Sequence, residues 1–284
     1  MAAATELPEG DWLGACRRAT EGIREVLAGA VTREERVRET GEVGEGGDHT
    51  LEIDRAAEDC VFAELDALHE GGARFTAISE ERGAVDYGDP GVLVVIDPID
   101  GSLNAKRGLR PASLSVAVAT GPTMGDVAFG YVNDLGAGEE WTAAAGDGAR
   151  LNGEPLAPVL PERRLPDGRL EVVLAEMAAP AHLARRSDGL VEVANRVRLF
   201  GSVAIACCQV AAGRADAMVS LVGCRAVDAA AAQFVVRAAG GVARFDVAGD
   251  PLAFPLADFD GRASLVAAAS EAAADDAARI IAAR

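Results

Sequence analysis

Apolar side chains at Trp12, Leu13, Cys16, Ala19, Ile23, Val26 and Leu27 recur every three or four positions, which predicts one buried face of a helix over 11–30. The pattern stops at the glycine-rich stretch 41–47, read as a mobile loop. It resumes over 54–69, where Ala57, Cys60, Val61, Leu65 and Leu68 fall on one side of a second helix. Short β-branched and apolar runs then predict strands at 75–78 and 92–96. The runs 114–119 and 127–132 read as antiparallel neighbours. The run 140–144, followed by Gly146-Asp147-Gly148 and Asn152-Gly153, has hairpin chemistry.

After a Pro- and Arg-rich crossover at 155–168 the rhythm changes. Strands are expected at 170–175, 197–200, 215–221, 242–245 and 264–268. Helices are expected between or after them at 180–195, 202–213, 227–239 and 270–283. Such alternation indicates an α/β half. The reading is therefore an α+β half over 1–155 and an α/β half over 156–284, interlocked as one globular unit.

Composition narrows the function. Half of the 284 residues are hydrophobic and a quarter charged, the balance of a soluble chain. No apolar run approaches the roughly 20 residues needed to span a bilayer. The start carries Glu6, Glu9 and Asp11 rather than a basic, apolar leader, so a cytoplasmic protein is expected. A net charge of −18 excludes a basic nucleic-acid footprint. It also means that a phosphorylated ligand is repelled unless cations sit in its site. Lys106 is the only lysine, and the abundance of Ala and Gly suggests GC-rich coding, with a halophile's acidic surface as the alternative. Five cysteines form no C-x-x-C pair and read as reduced thiols. Three scattered histidines speak against a His-based zinc site.

The chemistry concentrates at Asp97-Pro98-Ile99-Asp100-Gly101-Ser102, after the apolar run that ends at Ile96. Two carboxylates, a carbonyl and a hydroxyl crowd one strand end. Hard cations such as Mg²⁺ seek that oxygen-rich surrounding, and two carboxylates buried without a counter-charge are costly. Further candidates are Asp54 and Asp228, each read as opening a helix, Ser79-Glu80-Glu81 after a strand, and Gly201-Ser202 at a strand-to-helix turn. Alone, an Asp at a helix start serves mostly as an N-cap, and a strand–Gly–Ser–helix turn mostly only connects.

Together these motifs resemble the inositol monophosphatase and fructose-1,6-bisphosphatase superfamily of Mg²⁺-dependent, lithium-sensitive phosphatases, over about residues 11–280. Gly47 to Asp54, Ser79-Glu80-Glu81-Arg82-Gly83 and Gly101-Ser102-Leu103-Asn104-Ala105 look closest to its archaeal and bacterial dual-activity branch. The resemblance implies a layered α/β/α/β/α sugar-phosphatase fold, two to three Mg²⁺ ions and a homodimer. It implies that Glu80, Asp97 and the Ile99 carbonyl hold one ion, and that Asp97, Asp100 and Asp228 hold a second. Asp54 and Ser102 would form a hydrogen-bonded pair that activates water, with Glu80 beside a weaker third ion. Gly101 and Ser102 would cradle phosphate, and Gly201 and Ser202 would face the substrate.

The implied reaction is hydrolysis of a small polyol or sugar phosphate, inositol 1-phosphate or fructose 1,6-bisphosphate, by in-line attack of water. Alternatives are a histidinol-phosphate or adenosine 3′,5′-bisphosphate phosphatase on the same scaffold, or a non-catalytic relative that binds a phosphorylated ligand. The chain departs from the family pattern at Ser79 (often Gly), Ser102 (often Thr), Val227 (often Trp) and Ala231 (often Gly). Leu221 stands where inositol-specific members carry a sugar-binding Glu. Arg225 and Arg198 are candidates to meet a second phosphate or a polar tail, as guanidinium geometry permits.

Overall fold

The computed structural model of the chain describes residues 7–43 and 49–282. Helix α1 (Trp12–Gly29) starts at Asp11, whose carboxylate accepts the Gly14 N–H. A single turn, α2 (Arg33–Arg36), and an antiparallel strand pair, β1 (Glu39–Val43) and β2 (His49–Leu51), lead into α3 (Glu52–Glu70). The expected loop 41–47 thus begins in strand, at 41–43. Residues 44–48 lie outside the described residues.

An eight-stranded sheet follows. Its strands are β3 (Thr76–Ser79), β4 (Gly83–Asp86) and β5 (Leu93–Asp100); then, after the short helix α4 (Ser102–Arg107), come β6 (Ser113–Ala119), β7 (Val127–Asp134), β8 (Glu140–Ala144), β9 (Gly148–Leu151) and β10 (Glu154–Pro155). The spatial order is β10-β9-β8-β7-β6-β5-β3-β4, antiparallel except for the β3/β5 pair. The expected hairpins of 114–153 are all present. Strand β4 and helix α2 were not expected from the pattern.

The second sheet begins with β11 (Leu170–Glu176). The stretch expected as one helix over 180–195 is two, α5 (Pro180–Arg185) and α6 (Ser187–Val193), and its end is already strand β12 (Ala194–Arg198). Residues 194–198 alternate between more and less buried positions, the period of a strand, and pair with β11 from Leu170↔Ala194 onward. Then come α7 (Val203–Ala211), β13 (Ala217–Ser220), α8 (Ala226–Ala238), β14 (Val242–Phe245), β15 (Leu265–Ala268) and α9 (Glu271–Ala282). The order β12-β11-β13-β15-β14 is parallel around β11 and antiparallel around β15.

Helices α7 and α8 are apolar nearly all round, the mark of helices with no face to water. They pack against each other and lie between the sheets: α8 meets β5 to β9 on one side and β14 and β15 on the other. Helices α1 and α3 cover the outer face of the large sheet through Trp12, Ile23, Val61 and Phe62, and α6 and α9 cover the small one through Leu190 and Ile280. The result is the five-layer α/β/α/β/α arrangement that the resemblance implied. Among the described residues no helix is long and apolar enough to cross a membrane, and the five cysteines are free.

Candidate active site

Strand β5 does not stop at Asp97. It continues through Pro98 to Asp100 by a bulge, because Asp97 pairs with Ser115 and Asp100 with Ser113, three steps against two. Pro98 has no N–H to give the ladder, and the Ile99 N–H turns to Asp97 Oδ1 at 3.0 Å. The extra residue turns both carboxylates into the sheet's C-terminal end while keeping them buried, 2% exposed for Asp97 and 6% for Asp100. Gly101 follows at φ +90°, and a Cβ there would sit 2.9 Å from the Gly201 carbonyl, so no larger residue fits. The Asn104 amide donates to Pro111 O and Phe200 O, both at 2.7 Å, and fixes the two glycine turns against one another.

Asp100 is the hub of the second turn. Its carboxylate accepts Ser202 Oγ–H at 2.5 Å, Ala204 N–H at 2.7 Å and Val203 N–H at 3.3 Å, so it sits on the first turn of α7. Ser202 in turn caps α7 by accepting the Ile205 N–H. Glu176, at the end of β11, accepts Phe200 N–H and Gly201 N–H, each at 2.8 Å. Gly201 and Ser202 line the cleft as expected, but these polar groups of theirs are already committed to Glu176 and Asp100.

Glu80 is set by a buried partner on α3. Glu58 accepts the Ser79 hydroxyl, the Arg82 N–H at 3.1 Å and Arg82 Nε–H at 3.1 Å, which pins the turn on both sides of Glu80. The Arg82 guanidinium also lies 4.1 Å over the Phe62 ring. Here the Ser in place of Gly before the paired glutamates has a use: its hydroxyl binds Glu58. Asp54 and Asp228 are not N-caps. Each is the third residue of its helix, after Leu51 and Arg225. Asp54 is buried, and its Oδ1 has no hydrogen-bond partner; the expected bond to Ser102 is not made.

Asp228 is held by Arg225, through the Arg225 N–H at 2.8 Å and Nη2 at 3.0 Å, and the same guanidinium reaches Glu80 at 2.7 Å. Arg225 therefore stands among the carboxylates rather than beside them. Arg198 is exposed, donates to Val197 O and does not line the cleft. Leu221 is fully buried in the small sheet's core and does not reach the cleft either.

The cleft has two lobes that share Glu80, Asp97, Ile99 and Ser102. A narrow lobe of about 30 Å³ adds Asp54, Glu81, Pro98 and Lys106, with room for about two waters. A wide lobe of about 630 Å³ adds Asp100, Glu176, Arg225 and Asp228, with Leu103, Met177 and Leu199 on its walls. Burial pushes the Asp54 carboxyl up to about 6, against the pull of Lys106. Burial and the charges of Asp228 and Glu81 push Glu80 up to about 7, although Arg225 opposes them. Burial first, then Glu80, Asp100 and Asp228, hold Asp97 well above the carboxylate range. Burial takes Asp100 to about 7 despite its hydrogen bonds. Burial weakens the charge of Arg225, but Asp228, Glu80 and Asp97 outweigh it and raise the guanidinium further.

This is a carboxylate field short of positive charge, and its donors are all hard oxygens, the set that suits Mg²⁺ and similar cations. The unpartnered Asp54 Oδ1 fits the same need. Among the described residues no three acidic, His or Cys groups are already gathered as a coordination cage. The hydrogen bonds show why: Arg225 occupies Glu80 and Asp228, and α7 occupies Asp100.

Glu176, Glu58 and Lys106 belong to this site and were missed as functional residues. A Glu ending an apolar strand and a Glu in a helix both look solvated in sequence, and their partners lie 24 or more positions away for Glu176 and 21 or more for Glu58. The uniqueness of Lys106 was the one available signal.

The sequence model of the inositol monophosphatase family matches residues 12–283. The fructose-1,6-bisphosphatase/inositol-1-monophosphatase of Methanothermobacter thermautotrophicus is 32% identical, over 90% of this chain and 91% of its own. The protein of the same name from Archaeoglobus fulgidus is 34% identical, over 92% and 95%. The crystal structure of an inositol monophosphatase-fructose 1,6 bisphosphatase superposes with a TM-score of 0.80 at 25% identity, covering 95% of this chain and 99% of that one.

Proposed function

The chain belongs to the inositol monophosphatase family and is a phosphatase; from that premise we propose a Mg²⁺-dependent phosphomonoesterase for a small polyol or sugar phosphate. Inositol 1-phosphate and fructose 1,6-bisphosphate are the leading substrates, a pairing supported by the names of the two archaeal relatives. The observation that carries the reading is the convergence of Asp54, Glu80, Asp97, Asp100 and Asp228 on one cleft, from segments far apart in the chain.

In this reading Glu80, Asp97 and the Ile99 carbonyl hold one Mg²⁺, and Asp97, Asp100 and Asp228 hold a second, with a third, weaker ion near Glu80. Residues 1–155 thus carry most ligands and 156–284 the late one. Bound Mg²⁺ supplies positive charge that lowers the pKa of the attacking water and offsets charge on the leaving oxygen. Asp54 and Ser102 face the narrow lobe, where Asp54 Oδ1 is open to accept a proton from water. The Gly101 and Ser102 backbone meets the phosphoryl group, and the wide lobe takes the remainder of the substrate. Cations held by Glu80 and by Asp228 would compete with Arg225 for oxygens that it now holds, leaving the guanidinium available to a second phosphate or polar tail. A cytoplasmic homodimer is the setting this reading implies.

The test is phosphate release from inositol 1-phosphate, fructose 1,6-bisphosphate, histidinol phosphate and adenosine 3′,5′-bisphosphate, with Mg²⁺ and again with EDTA. Metal-dependent release from either of the first two is expected. Release from only the third or fourth moves the substrate elsewhere on the same scaffold. No release from any, with the protein folded and Mg²⁺ bound, overturns the hydrolase reading in favour of a binding protein.

A further inference from the structure

Each lobe of the cleft holds carboxylates and at least one cation from the chain itself. In the wide lobe Arg225 is paired with Glu80 and Asp228 at 2.7 and 3.0 Å. In the narrow lobe the cation is Lys106, on α4, facing the cavity walled by Asp54, Glu80, Glu81 and Asp97. Of the chain's 27 Lys and Arg residues, Lys106 is the only lysine. Whatever pressure made arginine of the other long cations left an ammonium here.

The two groups act differently on a carboxylate. A guanidinium is flat and clamps two oxygens with its fork, whereas an ammonium is a compact, hydrated point charge on a flexible stem. Arg225 shows what the first does in this cleft: it fills the space between Glu80 and Asp228 and takes oxygens of both. Lys106 is half-buried and, among the described residues, makes no direct ion pair. In a space of about 30 Å³ a second arginine would close the lobe to water and ions.

We propose that Lys106 is a positioning residue, the fixed counter-charge of the narrow lobe, which offsets the field of Asp54, Glu80, Glu81 and Asp97 without covering their oxygens. The lobe then stays open to a hydrated cation and to the attacking water. The water's part rests on the phosphatase reading above; the charge role does not.

Calorimetric titration of Mg²⁺ and Mn²⁺ into the substrate-free protein tests it. Lys106→Met removes one positive charge, so divalent-ion affinity is expected to rise about three- to tenfold in this partly screened setting. Lys106→Arg is expected to lower affinity below wild type, because the fork seats on the carboxylates. If Lys106→Met binds both metals within about twofold of wild type, or more weakly, the proposal is overturned. The same holds if Lys106→Arg matches Lys106→Met. Should the Met variant fail to fold, acetylation of the folded wild-type protein at its one lysine removes the same charge and is read in the same titration. Turnover adds a second readout: kcat of Lys106→Met is expected to fall more than KM rises. A protein that shows the affinity shift but hydrolyses nothing in the substrate panel keeps this role for Lys106 and loses the hydrolase reading.

Discussion

The narrow and wide lobes solve the same electrostatic problem in opposite ways. In the wide lobe each buried carboxylate has protein donors: Asp100 has the first turn of α7 and Ser202, Glu176 has two backbone N–H groups, and Asp228 has Arg225. In the narrow lobe Asp54 leaves an oxygen without a partner, and Lys106 stands off at the wall. The wide lobe's carboxylates are therefore already bound by the chain, and an ion there must compete with those donors. The narrow lobe is held in readiness, and its oxygens are the cheaper ones for a metal or a water to claim. The cleft thus sets carboxylates that the chain already binds beside one, Asp54, with an oxygen left open.

Asp97 stands on the wall common to both lobes, and its substitution gives the largest expected effect. Asp97→Asn keeps an oxygen for the Ile99 N–H and removes a carboxyl group whose ionisation burial, then Glu80, Asp100 and Asp228, oppose. Turnover with Mg²⁺ should fall by at least about 10³-fold, since one group serves both proposed ions. The melting temperature in EDTA should hold or rise. A variant that stays active, or that unfolds, would place Asp97 in the scaffold and break the division between the lobes.

Glu176 is the wide lobe's counterpart, with the expected losses in the reverse order. Glu176→Gln leaves either the Phe200 or the Gly201 N–H facing an amide NH₂ in a site only 2% exposed. A buried donor without its acceptor costs about 1–3 kcal/mol, which a denaturant titration can read with or without metal. Activity should fall only about tenfold, through the loosened Gly201-Ser202 turn. A loss of activity far beyond the loss of stability would move Glu176 among the reacting groups.

The same division explains what could be read in the sequence. The wall shared by the lobes was legible because its residues cluster: Asp97 to Ser102 is one string, and Ser79 to Glu81 closes a strand. The passage from an α+β half to an α/β half was legible because helical and strand periods change along the chain; the five layers were implied by the family resemblance. What escaped depended on distant partners. Glu176 acquires its role only when β12 and α7 bring Phe200 and Gly201 to it. Arg225, read as a substrate contact, is clamped on Asp228 and Glu80 here, an arrangement that depends on the start of α8 meeting the turn that carries Glu80. The helix expected over 180–195 ends early because pairing with β11 outweighs local helical preference from Ala194 on.

Proton linkage gives the smallest effect and the finest distinction between the lobes. In the folded, metal-free chain Asp54 keeps its proton to about 6, and Asp100, Glu80 and Glu176 to about 7. In the unfolded chain the same groups titrate near 4. Between those limits the folded state binds more protons, so stability falls as pH rises from about 4 through about 7. The melting temperature in EDTA should therefore drop by several degrees between about pH 5 and pH 8. Metal ligands bind deprotonated, so Mg²⁺ should stabilise more at the higher pH and offset that slope. Glu176 donates nothing to the proposed ions, so its share of the slope should survive in Mg²⁺ and vanish in Glu176→Gln. A slope that Mg²⁺ removes entirely would mean that Glu176 titrates with the metal ligands and that the two lobes are one coupled site.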